Sequence, residues 1–230
     1  MIASSERNVL VITGLDREAK IVTGPRTQVV VSGGSRAALE QRLEALPPVR
    51  WTAIVSFGLA GALAPDLAPG DIVLATSVLS GRRQFPATEA LCAAWQQRLS
   101  GAGLLSRRAA IAAVDAPVMS SAAKAALRAA SGADAVDMES HIAAAFAERH
   151  SLPFGAIRVI SDGADRTLPP VAAKAMRPDG GINLAAVLCG LLRRPGQLPA
   201  LIATGRDAQI AFRQLAVLVA ALRPDLQAGR

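Results

Sequence analysis

Short apolar runs alternate with longer segments of mixed polarity along most of the chain. Runs that are apolar at nearly every position are typical of strands buried on both faces of a sheet. The runs predict strands over residues 8–13, 28–32, 52–57, 71–76, 109–114, 135–138 and 154–160, and the segments between them predict helices over 16–22, 35–46, 88–99, 122–130 and 139–150. The alternation indicates an α/β fold, a single-domain three-layer sandwich with a central mixed, mostly parallel sheet and helices on both faces.

The last part of the chain does not follow this alternation. From Asn183 onward the pattern is helical, with interruptions at Pro195 and Pro199. We therefore predict one domain over residues 1–230, which carries a C-terminal helical appendage from about residue 180.

Composition supports a large core and excludes several classes of protein. Hydrophobic residues make up 51% of the chain and aromatic residues only 3%, so aliphatic side chains must fill the core. Cys92 and Cys189 stand apart in apolar surroundings, which is typical of buried thiols rather than of a disulfide framework. With only two histidines in addition, the sequence shows no cluster of metal ligands, and we expect neither a metal nor a cofactor.

Positive charge is concentrated towards the C-terminus. The net charge is +7, and residues 166–230 hold nine Lys and Arg against three Asp, a balance of +6. We expect no nucleic-acid partner, because this region offers only Phe212 to stack on a base. The polar residues 1–7 and the lack of an apolar run of about 20 residues favour a cytoplasmic protein.

The apolar residues of 183–192 and 209–222 leave two interpretations of this C-terminal region. In the first, they form a docking helix pair or a subunit interface. In the second, they combine with the arginines among them into a surface for peripheral membrane contact.

Four motifs lie at the ends of predicted strands, where α/β proteins place their binding sites. They are residues 13–19 (TGLDREA), 58–63 (GLAGAL) followed by 69–73 (PGDIV), 136–140 (VDMES) and 158–165 (RVISDGAD). In this order they resemble the methylthioadenosine/S-adenosylhomocysteine nucleosidases and the related purine nucleoside phosphorylases. The most specific part is V-D-M-E-S followed by R-x-I-S-D-x-A-D, and the resemblance covers roughly residues 8–166.

A narrower resemblance comes from the C-terminal part of the chain. Residues 179–183 (DGGIN) and 193–196 (RRPG) are similar to the hopanoid-associated nucleosidases of this superfamily. That similarity implies an enzyme that removes adenine from adenosylhopane and leaves ribosylhopane. The wider family implies a homo-oligomer in which a neighbouring subunit closes the site.

The resemblance assigns the catalytic roles to two carboxylates. Asp162, preceded by the matching Arg158 and Ser161, is implied to be the general acid that protonates N7 of the leaving adenine. Glu18 is implied to be the general base for water. The alternatives are that Asp162 is a helix N-cap and that Glu18 is a solvated residue on a helix face.

The same motifs imply the groups that bind the substrate. Glu139 is implied to accept hydrogen bonds from both ribose hydroxyls, and Met138 to pack on the sugar ring. The alternatives are a favourable glutamate at a helix N-terminus and a core methionine. We also place Val136, Ser161 and Arg158 in the substrate-binding site.

Gly58 and Gly61 are predicted to form a turn whose backbone approaches the ligand closely. Phosphorylases of the superfamily carry an arginine just ahead of this turn, whereas this chain has residues 54–57 (IVSF) there. Water is therefore the predicted nucleophile. Arg17 and Arg26 leave phosphorolysis open as the alternative.

The base-binding segment departs from the family pattern. Relatives place an aromatic residue before the position of Ser120 to stack on adenine, and this chain has none there. Pro117 and Met119 are the residues that remain to sandwich the base.

The predicted function is hydrolysis of the N-glycosidic bond of an adenine nucleoside, with adenosylhopane as the favoured substrate. The first alternative is a nucleosidase or phosphorylase that acts on a small soluble nucleoside such as methylthioadenosine. The alternative from another class is a non-catalytic nucleoside- or lipid-binding protein, although binding alone would not require Asp162.

Overall fold

The computed structural model describes residues 8–46, 51–169 and 195–228. In these ranges the strands are β1 (Asn8–Thr13), β2 (Thr27–Val31), β3 (Trp51–Ala62), β4 (Ile72–Ser80), β5 (Arg83–Pro86), β6 (Ser106–Ala113), β7 (Ala135–Asp137) and β8 (Phe154–Asp162). The helices are α1 (Asp16–Val22), α2 (Arg36–Glu44), α3 (Glu89–Gly101), α4 (Ser121–Ser131), α5 (Ser140–Arg149) and α6 (Leu198–Ala228), and a 3₁₀ turn, Pro195–Gln197, precedes α6.

These strands form one mixed sheet, and five of them are paired in a closed ring. The pairs β1–β2, β1–β3, β3–β8, β4–β6 and β6–β7 are parallel, and β3–β7, β4–β5 and β4–β8 are antiparallel. Because β8 joins β3 to β4 while β7 joins β3 to β6, the path β3-β8-β4-β6-β7 returns to β3. The register pairs Gly61 with both Val136 and Asp162, so the carboxyl ends of β3 and β8 meet beside the short strand β7, which runs antiparallel to β3.

The strands are apolar at nearly every position because helices cover both faces of the sheet. In β1, Leu10 and Ile12 belong to the core that also contains residues of α2 and α5. The intervening Val9 and Val11 belong to the core that contains residues of α1, α3 and α6. Burial of these aliphatic side chains is the main stabilising contribution, at roughly 25 cal/mol per Å². The predicted α/β fold with a central mixed sheet is confirmed.

Strand β3 differs most from its predicted bounds. It does not end at Gly58 but continues to Ala62, because β8 pairs with it along residues 54–61. The predicted turn at Gly58 and Gly61 is therefore wrong, since both glycines lie within a strand. The apolar pattern also does not predict β5, which is short and half polar.

The C-terminal region contains one long helix in its described part. Pro199 does not interrupt α6, because it lies in the first turn, where the missing N–H removes no helical hydrogen bond. Residues 183–194, for which a helix was also predicted, lie outside the described residues, as does Cys189. Cys92 is buried in the domain, as predicted.

Helix α6 packs against the domain rather than standing away from it. Leu215, Leu218 and Leu222 are fully buried in the core formed with α1, α3 and the sheet. Much of the apolar surface predicted for residues 209–222 is therefore used inside the domain, although Ile210 and Val217 are half exposed. Among the described helices, none has the length and apolarity needed to cross a membrane.

Candidate functional site

A cavity of about 180 Å³ lies where the carboxyl ends of β1, β3, β6, β7 and β8 meet. Residues from all four sequence motifs contribute to its wall. The predicted site residues that line it are Glu18, Gly61, Pro117, Val136, Met138, Glu139, Ser161 and Asp162. Gly58, Arg158 and Met119 are predicted site residues that do not line it.

Glu18 is buried at the wall of this cavity and held by the backbone. Its Oε2 accepts hydrogen bonds from the amides of Gly14 at 2.8 Å and Leu15 at 2.9 Å, and its Oε1 accepts one from the amide of Leu59 at 2.8 Å. Burial raises the pKa of the Glu18 carboxyl, and these amides together with the charge of Arg158 partly oppose that shift. The alternative of a solvated glutamate is wrong, because only 2% of Glu18 is exposed.

Gly58 makes room for the Glu18 carboxylate and does not contact the cavity. A Cβ at Gly58 would lie 2.7 Å from Cδ and Oε1 of Glu18, and the backbone has φ +154°. The need for glycine here comes from a buried carboxylate on another element, which corrects the prediction of a ligand-contacting turn residue.

Glu139 occupies the N-cap position of α5 and faces the same cavity. Its Oε1 accepts a hydrogen bond from the Ser32 hydroxyl at 2.8 Å. Burial, together with the negative charge of Asp137, raises the pKa of Glu139 to about 7. A carboxylate that accepts one bond from the protein keeps lone pairs for hydroxyl donors of a ligand.

Asp162 is the last residue of β8 and is 6% exposed. Its Oδ1 accepts a hydrogen bond from the Ser161 hydroxyl at 2.7 Å, and its Oδ2 forms an ion pair with the ammonium of Lys124. The alternative of a helix N-cap is wrong, because the carboxylate bonds to these side chains at the end of a strand.

Lys124 is a charged site residue that the sequence analysis did not predict. It lies on α4, lines the cavity and is 1% exposed. A lone lysine in an alanine-rich helix gives no local sign of burial, because lysines on such helices are ordinarily solvated. The sequence gives one indirect indication, which is that Asp162, at the end of a buried strand, needs a cationic partner.

Each of the three predicted carboxylates, Glu18, Glu139 and Asp162, lies against a glycine. A Cβ on Gly14 would lie 3.1 Å from Oε1 of Glu139, and a Cβ on Gly61 would lie 3.2 Å from Oδ2 of Asp162. With Gly58 beside Glu18, three glycines of the first two motifs leave the space that three distant acids fill.

Arg158 supports the site from behind the cavity wall. It is 1% exposed, and its guanidinium donates to Asp137 at 2.6 Å, to the Ser56 hydroxyl at 2.6 Å and to the Ser140 hydroxyl at 3.0 Å. The prediction that Arg158 contacts substrate is therefore corrected. Its charge instead lowers the pKa of both buried glutamates against the effect of burial.

The remaining wall of the cavity is apolar. Val114, Pro117, Val118 and Leu168 line it, whereas Met119, which was predicted to sandwich the base, is not among the lining residues. An apolar slot bounded by aliphatic side chains suits the flat faces of a heteroaromatic ring.

No arginine lines the cavity in the part of the chain that the structure describes. The guanidinium of Arg17 instead lies over the Phe212 ring, 4.0 Å from its centroid. The position of Arg17 therefore does not support the alternative in which it supplies a phosphate contact.

Together these features define a class of protein: an α/β domain with a partly closed mixed sheet and, at its strand ends, a cavity in which buried carboxylates face an apolar wall. The model of the phosphorylase superfamily matches residues 21–193. The chain belongs to this superfamily.

Solved structures share the fold over nearly the whole chain. The futalosine hydrolase of Helicobacter pylori superposes with a TM-score of 0.71 at 14% identity, covering 96% of this chain and 99% of that one. The 5′-methylthioadenosine/S-adenosylhomocysteine nucleosidase of Neisseria meningitidis, in complex with methylthio-immucillin-A, gives 0.72 at 18% identity, covering 96% and 100%. An aspartate-to-asparagine mutant of the Helicobacter pylori nucleosidase, with 5′-methylthioadenosine in its active site, gives 0.65 at 14% identity, covering 93% and 98%. No curated protein sequence matches significantly.

Proposed function

We propose that this protein is a nucleosidase that hydrolyses the N-glycosidic bond of an adenine nucleoside. The observation that carries the proposal is the meeting of Glu18, Glu139 and Asp162, from three distant segments, on one small cavity. Glycosidic cleavage passes through a transition state with oxocarbenium character. It needs an acid on the leaving group, a base for water and groups that hold the sugar.

The geometry suits a division of labour among the three acids. Glu139, with one bond from Ser32, would accept the two ribose hydroxyls. Glu18 would take the proton of the attacking water, and its three backbone amide bonds hold it in one orientation. Asp162 would act on the leaving base, which the apolar wall around Pro117 would hold.

Water is the nucleophile that the cavity favours over phosphate. The cation on its described lining is Lys124, which already pairs with Asp162. A phosphate ion would also meet the buried carboxylates Glu18 and Glu139 without an arginine on the described cavity wall to bind it.

We propose adenosylhopane as the substrate, on the strength of the sequence resemblance of residues 179–183 and 193–196 to the hopanoid-associated nucleosidases. Two pairs of half-exposed apolar side chains on α6, Leu198 with Ile202 and Ile210 with Val217, are compatible with peripheral membrane contact by a cytoplasmic protein. The solved relatives bound to methylthioadenosine and its analogue favour the second candidate, a small soluble adenine nucleoside.

Release of free adenine, followed by chromatography, tests the proposal. Adenosylhopane in detergent and methylthioadenosine are each incubated with the protein, with and without phosphate. We expect phosphate-independent release that Asp162→Asn lowers by about 10²–10⁴-fold. Asp66→Asn is the matched control, because Asp66 is an exposed aspartate that pairs with Arg107 away from the cavity.

The substrates and additives separate the candidates. Release mainly from methylthioadenosine would assign a small nucleoside as the substrate. Release only in the presence of phosphate would show a phosphorylase, and no release from either compound would contradict an enzyme of this kind.

We also propose a homo-oligomer. The outer face of α4 is rich in exposed alanines, among them Ala122, Ala125 and Ala129, and such a face permits close approach of a second copy. Sedimentation velocity at several protein concentrations tests this, and a monomer throughout would contradict it.

A further inference from the structure

Lys124 is a buried cation that hydrogen-bonds to the residues at the carboxyl end of β8. Its ammonium donates to Oδ2 of Asp162 and, at 2.7 Å, to the carbonyl oxygen of Gly163. An ammonium has three N–H donors. Among the described residues these two acceptors use two of them, and the third N–H remains at the cavity wall.

Both carboxylate oxygens of Asp162 accept a hydrogen bond from the protein. The ammonium of Lys124 donates to Oδ2, and the hydroxyl of Ser161 donates to Oδ1. The Lys124 N–H that points at Oδ2 therefore places a proton directly on the path to a base held at Asp162.

We propose that Lys124 and Asp162 act as a single acid, in which Lys124 holds the proton and Asp162 delivers it. The inference rests on the proposed nucleosidase function. As the C1′–N9 bond breaks, its electron pair passes to the purine, and one proton moves from Nζ of Lys124 to Oδ2 of Asp162 and on to N7. Water adds to C1′ and gives its proton to Glu18.

The proton count closes without a further reactant. The products are the free base, the free sugar, a neutral Lys124 and a protonated Glu18. Return of one proton from Glu18 to Lys124 through solvent restores the resting state, with one water consumed in each turnover.

A purely structural role explains the pair less well. Replacement of a buried ion pair by well-packed apolar residues is often neutral or stabilising, so such a pair is a poor way to hold α4 in place. The N-terminus of α4 already has a cap in Ser120, whose hydroxyl accepts from the amide of Ala123 at 3.1 Å.

The pH dependence of base release tests the proposal. In Lys124→Met the cation is gone, so Asp162 must carry its own proton. We expect a loss of about 10²-fold or more near pH 8 and recovery towards about pH 5, a shift that the wild type does not show. Arg128→Met, one turn along α4 and 39% exposed, is the matched control and should keep the wild-type profile.

Chemical rescue distinguishes proton supply from charge alone. In Lys124→Ala, ethylammonium should restore the rate, whereas guanidinium should not, because it restores a charge but releases no proton. Equal rescue by both cations would overturn the proposal and leave Lys124 as an electrostatic anchor.

A measurement on the ligand-free protein keeps the inference separate from the proposed function. The carboxyl carbon of Asp162, labelled with ¹³C and assigned with Asp162→Asn, should report an ionised carboxylate near neutral pH in the wild type. In Lys124→Met the same carbon should report protonation at clearly higher pH than in the wild type. A protonated Asp162 in the wild type would overturn the inference, whether or not the protein releases a base.

Discussion

Two buried ion pairs in this molecule have the same chemistry and different surroundings. Arg158 and Asp137 are both 1% exposed, and the hydroxyls of Ser56 and Ser140 complete their hydrogen bonds. Lys124 and Asp162 are 1% and 9% exposed, and both line the cavity. Asp137 also borders the cavity, but its cation, Arg158, lies behind the wall, so the first pair has one member that a ligand cannot reach. In the second pair both the cation and the carboxylate line the cavity, so a ligand can reach both.

Removal of the cation from each pair tests most directly whether the two pairs differ in their contribution to stability. Arg158→Met removes the cation from an Asp137 side chain that is only 1% exposed, and we expect a loss of about 3–5 kcal/mol in the free energy of unfolding. Lys124→Met should cost clearly less, because the Asp162 side chain is 9% exposed and water reaches it more readily. Urea unfolding of both variants measures the difference, and equal losses would show that the two pairs do not differ in this way.

Gly58 tests whether the buried glutamate depends on the space behind it. Gly58→Ala would place a Cβ 2.7 Å from the Glu18 carboxylate, so we expect a loss of about 1–3 kcal/mol in stability together with a large loss of base release. Gly103→Ala is the matched control, because φ there is +74° and no atom lies within 4 Å of the added Cβ. If both variants lose the same stability and Gly58→Ala stays active, the contact with Glu18 is unimportant.

The raised pKa of Glu139 predicts a pH dependence of stability in the ligand-free protein. The carboxyl titrates near 4.5 when unfolded and at about 7 when folded, so the folded state binds its proton more tightly between these values. Stability should therefore rise as pH falls from about 7 towards 4.5, by on the order of 2 kcal/mol from this group. Thermal unfolding at several pH values should show that Glu139→Gln loses this component.

The same titration acts in the opposite direction on substrate binding. Only the ionised carboxylate accepts bonds from both ribose hydroxyls, so the KM of the nucleoside should rise as pH falls below about 7. A KM that is constant across this range would contradict the role of Glu139 at the sugar.

An exposed ion pair should contribute the least to stability of the pairs compared. Arg36 and Glu40 form an i,i+4 pair on α2, with 51% and 40% of their side chains exposed. Glu40→Gln should change stability by only about 0.3–0.5 kcal/mol, a change that added salt also removes. A loss as large as that of Arg158→Met would show that burial does not determine the cost.

The sequence motifs predicted much of the site because each lies at the end of a strand. Glu18, Glu139 and Asp162 were selected because their motifs resemble those of a known family, and the structure brings all three to one cavity. Lys124 could not be selected, since no neighbour along α4 signals that this lysine is buried. The role of Gly58 was equally hidden, because the group it accommodates lies on α1.

The alternation of apolar runs was enough to predict an α/β domain with a sheet covered on both faces, and the C-terminal helix begins at Leu198 within the region where helix was expected. These features depend on residues close together in the chain, and periodicity records them directly. Only the tertiary structure decided how the sheet closes and which groups meet, because strand register determines both. Ser32 bonds to Glu139 across 107 residues and Lys124 to Asp162 across 38, and no local pattern records such distances.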